Sequence, residues 1–430
     1  MTQATLPIDS QAVLESAKSR QEPEWMTTLR SKALELAQTL ELPKLEKTRI
    51  DRWDLSSFGA YKQPAALGNL EDLPETAKSL VNPDNLIIQR NSGKVYGTLS
   101  QDLAAQGVIF TDLETAVREH GELVQNYFMK AVSTDENLLT ALHTASWSGG
   151  VFLYVPKNVT VSQPLQALFL TDDATASFSP HVLIVAEANA SVTYVDNFIS
   201  EGEGAQIVQN GVVEVFAAAG ASVQYASVHS MGKNVTDLTY RRAILDNDAK
   251  MQWVVGELNN GNTMSDTTSV LRGNGSNSDT KVICVGTDEQ KLNLTTRNIH
   301  WGKASESDMI TRAVMRDEAT AIINGITKIE KGATGANGQQ TEKVLMLSPK
   351  ARGDANPILL IDEDDVKAGH AASVGQVNAE QVFYLMSRGI SREEAQRLII
   401  YGFLAPVVSE IPIERLEEQL QRLVERKLGQ

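Results

Sequence analysis

One cysteine, Cys284, occurs in 430 residues, so no intramolecular disulfide can form and no four-thiolate zinc or cluster cage can be built from this chain alone. Further sulfur ligands would have to come from another protein. Basic residues are also short: 39 lysines and arginines face 54 aspartates and glutamates, a formal net charge of −15. Phosphate binding needs clustered Lys and Arg, so nucleic acid and anionic membrane are disfavoured as partners. No apolar run approaches the roughly 20 residues that span a bilayer, and the opening MTQATLPIDSQAVLESAKSR has no charged leader followed by an apolar core. The expectation is a soluble, cytoplasmic protein. A GxxxxGK[ST] phosphate loop is missing, and RGNGSNS carries Gly273 and Gly275 without the helix that a nucleotide fingerprint requires. The six histidines show no HxxxH spacing, which argues against a preformed metalloprotease-like centre. The RGD at Arg352–Asp354 reads as a charged turn.

What is present is an ordinary globular balance, 42% hydrophobic and 22% charged, in a chain long enough for a large body with smaller attached domains. From Ser10 to about Leu40 the apolar residues Trp25, Leu29, Ala33, Leu36 and Leu40 recur at helical spacing. LPKLEKTRIDRWDLSSF then reads as an ordered connector, with a solvated linker as its alternative, and residues 101 to 145 are helical again. We therefore take residues 1–145 as a mainly helical N-terminal region.

After Trp147–Gly150 the texture changes to short β-branched runs broken by Gly, Asn and Asp. ASVTYV from Ala190, ASVQYA from Ala221, AKMQWV from Ala249 and TKVICV from Thr280 form a weak repeat at intervals of 31, 28 and 31 residues. Each follows another short strand across a small or polar turn, such as Glu187–Asn189 or Asp246–Asp248. Strand alternation puts Val192 with Tyr194, Val223 with Tyr225, Met251 with Trp253 and Val282 with Cys284 on shared faces, and the alignment sets Cys284 in the aromatic slot. Two strands per period of about 30 residues fit a solenoid whose coils stack about 4.8 Å apart; a β-sandwich stays open. Terminal coils of a solenoid carry unpaired backbone groups. Helices can cap one end, and a partner's strands can close the other, near residues 340 to 365.

We place this β core at 146–375 and a C-terminal helical domain at 376–430. In the latter, AEQVFYLMSR stops at Gly389, Ser391 and Glu394 form a capping box, and Pro412 opens a third helix with Leu416, Leu420, Leu423 and Val424 in one stripe. Two residues could carry chemistry. Cys284 is either a thiolate or a small buried apolar residue. His370 follows a buried-looking strand and the acidic stretch Asp362–Asp365, and is either an iron ligand or a turn histidine beside a solvated edge.

The run LSPKARGDANPILLIDEDDVKAGHAASVGQVNAEQVFYLMSRGISREEAQRLIIYGF closely resembles the C-terminal signature of the SufB/SufD family, and PEWMTTLRSKALELAQTLELPKLEKTRIDRWDL is similar to the family's N-terminal region, on the SufD side. The resemblance implies a right-handed parallel β-helix flanked by helical domains, mainly β overall. It implies a non-catalytic scaffold for iron-sulfur cluster assembly, pairing with a SufB paralogue through β-helix ends and with a SufC ATPase through the C-terminal helices. Sulfur would arrive through SufB from a cysteine desulfurase system. By motif His370 is the residue implied at the cluster-forming interface with SufB, holding iron or a transient iron-sulfur cluster; Phe383, Tyr384, Arg388 and Tyr401 would form the ATPase docking surface. Here Ala371 and Gly369 stand where the family commonly has a glycine and a Cys or Ser, so a second ligand beside His370 is missing. A flavin in the complex, and a homodimer when the paralogue is absent, stay open. Two other classes remain as alternatives: a self-stacking structural β-helix, and a polysaccharide-active β-helix enzyme.

Overall fold

A computed structural model of the chain describes residues 7–202, 204–408, 422 and 424–427. From Gly150 to Gln376 the backbone winds as a parallel β-solenoid of about eight turns, each turn contributing one strand to each of two sheets. One sheet runs from Leu165–Thr171 to Lys367–Gln376 and the other from Gly150–Val155 to Arg352–Ile361, and within this stretch every named strand pairs in parallel with the strand two further on. The turns explain why the chain can coil so regularly. Asn158, Asn189, Gly220, Asp248 and Gly275 adopt positive φ at equivalent corners, and Asp288 and Asp317 do so at the opposite corner of the coil, a conformation cheap only for Gly and tolerated by Asn and Asp. The side chain of Asn189 also fills the space a Cβ at Gly220 would need, 2.4 Å away.

Inside, the expected column of large residues is present. Tyr194, Tyr225 and Trp253 are paired in register on successive coils, with ring centroids 5.4 and 5.0 Å apart, and all three are fully buried. Cys284 does not continue it. Thr280 lies beside Trp253 and Cys284 lies beside Glu257, because the strand begins at Asn277, three residues before the TKVICV run. The repeat preserves the inward parity of Cys284 but misplaces its register, since turn length and not side-chain pattern decides where a coil restarts.

The two ends differ. At the first coil Ile109–Asp112 pairs antiparallel with Gly150–Val155, while Leu86–Arg90 pairs with Leu165–Thr171 and is itself finished by an antiparallel Gly93–Gly97. Three short strands from the N-terminal region thus complete both sheets. Helices Ser10–Ser19, Glu24–Ala37 and Leu138–Ser146 pack nearby. Asp9 caps the first helix, and Gln21 at positive φ breaks it from the second. The second helix buries Met26, Arg30, Ala33, Leu34 and Ala37; Trp25, Leu29, Leu36 and Leu40 of the expected stripe are only partly buried along its border. Arg30 is held by Glu22 at 2.7 Å and by the Ala145 and Trp147 carbonyls. The connector is ordered: Ile50, Trp53 and Phe58 are buried, and Lys47 reaches Asp354 and Asn356 of the last coil at 3.3 and 3.2 Å.

At the other end Arg352–Ile361 and Lys367–Gln376 are the outermost strands of their sheets. Beyond them, Asn378 caps a helix at Ala379–Ser387, Gly389 turns the chain at φ +87°, and Arg392–Val408 follows. Ser391 accepts from the Glu394 N–H at 3.1 Å. The other half of the expected capping box is lost, because the Glu394 carboxylate turns to Arg397 at 2.7 Å. Ile400, Leu404 and Val407 lie against Val195, Val254, Ile283 and Val314 on the outer face of one sheet. Of the expected third helix, Pro412, Leu416, Leu420 and Leu423 lie outside the described residues; Val424 is buried in the same cluster.

Candidate functional site

Strand alternation decides what each residue of the last coil can reach. In the Asn337–Met346 strand Gly338, Gln340, Glu342 and Val344 are buried and face the lumen. Parallel pairing sets His370 beside Gln340, Ala372 beside Glu342 and Val374 beside Val344, so His370 belongs to the inward-facing file of the terminal coil. Nothing within the described residues stacks above it, and the ring is exposed at the open rim. Around it the coil leaves apolar side chains in solvent, among them Ile358, Leu360, Ile361 and Val374. Gly369, where the resemblance implies a Cys or Ser, is on the opposite side of the sheet: a Cβ there would stand 2.5 Å from the Gln339 Oε1. A thiol at 369 would point away from the imidazole.

The acidic stretch before His370 is a corner rather than a ligand cluster. Glu363 accepts from the Gly332 and Asp364 N–H groups at 2.8 and 2.9 Å, which hold its carboxylate below the usual range, and Lys331 lies 3.6 Å away. Cys284 is fully buried, and burial pushes its thiol up to about 12. That environment suits a small core residue, not a thiolate. Phe383 and Tyr384 are 72% and 57% exposed on the Ala379–Ser387 helix. Arg388 stacks on the Tyr384 ring at 5.2 Å and donates to its hydroxyl at 3.2 Å. Tyr401 points elsewhere, donating to Glu425 within the tail, so it is part of the domain's own packing while the other three form one outward patch.

The lumen also contains polar groups that no sequence motif announces. His229, Asp237 and Glu257 bring ligand atoms within 4.8 Å of one another, a geometry that could hold a metal ion. The Arg241 guanidinium stands among them instead, donating to His229 Nε2 at 2.7 Å and to Glu257 at 3.0 Å. His229 Nδ1 then donates to Asp237 at 2.6 Å, and Asn259 and Thr239 complete the carboxylate's shell. A cation is already built in. Near the first coil the Glu214 carboxylate accepts from the Met129, Ala131 and Val132 N–H groups at 2.6 to 2.9 Å, tying the N-terminal region to the solenoid.

Glu342 differs from these. It is fully buried beneath the last coil, both carboxylate oxygens lack a hydrogen-bond partner among the described residues, and burial pushes its carboxyl up to about 7. It fits only because Gly325 stands opposite: a Cβ there would be 1.9 Å from the Glu342 Oε1.

The molecule so described is a capped β-solenoid with one finished end, one open end and a solvent-facing imidazole at the opening. Residues 169–403 match the SufBD core domain of SUF system FeS cluster assembly, and residues 14–167 match the SufBD protein N-terminal region. The chain is 49% identical to the iron-sulfur cluster assembly protein SufD of Bacillus subtilis over 98% of both chains. It is 31% identical to a SufBD family protein of Staphylococcus epidermidis, covering 96% of this chain and 91% of that one. The B. subtilis SufB protein is 28% identical over 97% of this chain and 92% of its own. The chain belongs to the SufBD family of SUF-system iron-sulfur cluster assembly proteins. Among the described residues no helix is long and apolar enough to cross a membrane.

Proposed function

We propose that this chain is a cytoplasmic, non-catalytic scaffold subunit that joins a SufB-type paralogue edge to edge through its terminal coil. The observation that carries this reading is the unfinished rim. Among the described residues, two ten-residue strands, Arg352–Ile361 and Lys367–Gln376, each have one unpaired edge at the same end of the solenoid. An open edge flanked by exposed Leu360, Ile361 and Val374 is a template for strand addition by a second solenoid of the same pitch. Pairing would bury the apolar side chains and bring His370 from the rim to the middle of a continuous lumen.

An imidazole at such a seam is a ligand for iron or for a nascent cluster, the complex's cargo, and the sulfur ligands this chain lacks would come from the paralogue, fed by a cysteine desulfurase system. The outward patch of Phe383, Tyr384 and Arg388 fits a SufC-type ATPase, with aromatic side chains entering a groove. Tyr401, hydrogen-bonded to Glu425 within the tail, lies outside that patch. In the paralogue's absence the same rim would pair two copies of this chain. The test is affinity purification from the native host with metal and sulfide analysis, alongside His370→Ala in cells lacking the wild-type chain. Co-purification of an ATPase and a cysteine-bearing paralogue, with loss of cluster in the variant, is expected; normal maturation of iron-sulfur enzymes by the His370→Ala chain would refute the role given to His370.

A further inference from the structure

A buried carboxylate with no partner needs a physical explanation, because an uncompensated ion in a protein interior is costly and native structures almost always satisfy it. Each of the other fully buried acids has one. Asp112 is paired with Lys94, Asp196 accepts from the Tyr225 hydroxyl, Glu214 from three backbone N–H groups, Asp237 from His229 and Glu257 from Arg241. Only Glu342 in that set has neither oxygen engaged. Its position is built to be occupied, since Gly325 clears the lumen for the carboxylate and Gln340 beside it leaves its Nε2 unused after its Oε1 accepts from Thr327 at 2.9 Å.

The same register places Glu342 one coil below the rim and two residues along from the position under His370. With coils about 4.8 Å apart and about 6.8 Å per residue pair along a strand, the two Cα atoms are roughly 8 Å apart on the same inward face. Two side chains of this length can meet at one ion across that distance. What covers the carboxylate is small or apolar, Ala372 on its own sheet and Pro357 above Gly325 on the other, and both belong to the open terminal coil. Access is therefore from the rim, past the imidazole.

We propose that Glu342 and His370 together form a divalent-cation site at the mouth of the lumen, the second ligand being supplied from within the solenoid and not from the neighbouring positions 369 and 371. Imidazole nitrogen with carboxylate oxygen is the donor set of borderline divalent ions such as Fe²⁺ and Co²⁺. This deepens the scaffold reading and rests on it for the identity of the cargo, but the site itself requires only residues of this chain.

The test is an anaerobic titration of the full-length chain with Co²⁺, followed by visible d–d absorption and by calorimetry, on the wild type, Glu342→Gln and His370→Ala. Glu342→Gln keeps the side chain's volume and removes a buried charge, so the variant is expected to fold at least as well as the wild type. One Co²⁺ should bind the wild type, and each single variant should weaken binding at least tenfold. The double variant should lose less than the sum of the two single losses, because removing either ligand already breaks the chelate on the shared ion. Co²⁺ binding to Glu342→Gln with wild-type affinity and spectrum, or no Co²⁺ binding by the wild type, would overturn the site. The two readings separate in cells: cluster maturation that fails with His370→Ala but proceeds normally with Glu342→Gln, together with unaltered Co²⁺ binding, leaves the scaffold intact and removes only the shared site.

Discussion

Replacing Arg241 by Met tests whether the interior of the solenoid is held by charge compensation or by packing alone. Methionine keeps much of the apolar volume, so the change removes mainly the guanidinium. Arg241 is fully buried, and in the wild type its donors reach Glu257 at 3.0 Å, Ser265 at 2.8 Å and His229 at 2.7 Å. Burial opposes its charge, yet the surrounding Glu257, Asp237 and Asp196 carboxylates and the Tyr225 phenol outweigh that and raise its pKa. Without it, Asp237 and Glu257 lose the guanidinium between them, and the cation left near Glu257 among the described residues is Lys427, whose pKa burial lowers to about 7. Removing one partner from a buried ion pair costs about 3–5 kcal/mol, whereas substitutions that disturb no such feature stay within roughly ±0.5 kcal/mol. The residues involved come from three successive coils, so the loss falls on coil-to-coil coupling and the middle of the solenoid should open first. Urea unfolding followed by circular dichroism and tryptophan fluorescence reads the shift in midpoint, Trp253 lying on the same strand as Glu257. Hydrogen exchange should show the lost protection in Ser222–Ser230, Val235–Leu245 and Lys250–Glu257. A midpoint within experimental error of the wild type, with unchanged exchange in those strands, would refute charge compensation as what holds this core.

Three other outcomes follow from the same structure. His300 is buried between the Ser305 and Ser307 hydroxyls at 2.9 and 2.8 Å, and burial lowers its pKa from 6.5 to about 4. The unfolded chain therefore binds the extra proton first: stability is whole above about pH 6.5 and falls as pH drops toward 4, by up to ~3 kcal/mol, a slope that His300→Asn should remove in acid unfolding curves. Val374→Asp puts a carboxylate in the inward file of the rim, where pairing would bury it at a cost of ~3 kcal/mol or more, so affinity for the paralogue should fall about 100-fold while the isolated chain keeps its thermal midpoint. Phe383→Ala with Tyr384→Ala removes two exposed rings, and binding of the ATPase, measured by calorimetry, should weaken at least tenfold with the fold unchanged; equal binding would move the docking surface elsewhere.

Much of this molecule was legible before any coordinates, for a local reason. Asn, Asp and Gly at the corners and alternating β-branched residues between them encode a coil with each turn of chain, so the solenoid, the stacked Tyr194, Tyr225 and Trp253, and the Gly389 and Ser391 punctuation of the tail all lie on the surface of the sequence. Likewise, a single cysteine already excluded an intramolecular disulfide and a four-thiolate cage built from this chain alone. Register between coils is another matter, because it depends on how many residues each turn absorbs, and it moved Cys284 from beside Trp253 to beside Glu257. The packing of Arg241 among groups from neighbouring coils, the N-terminal strands that finish the first coil, and Glu342 left alone opposite Gly325 depend on contacts between residues far apart in the chain, which no local pattern records. Tertiary structure alone decided that position 369 faces away from His370 and position 342 faces the same way, since that follows from pairing and pleat together.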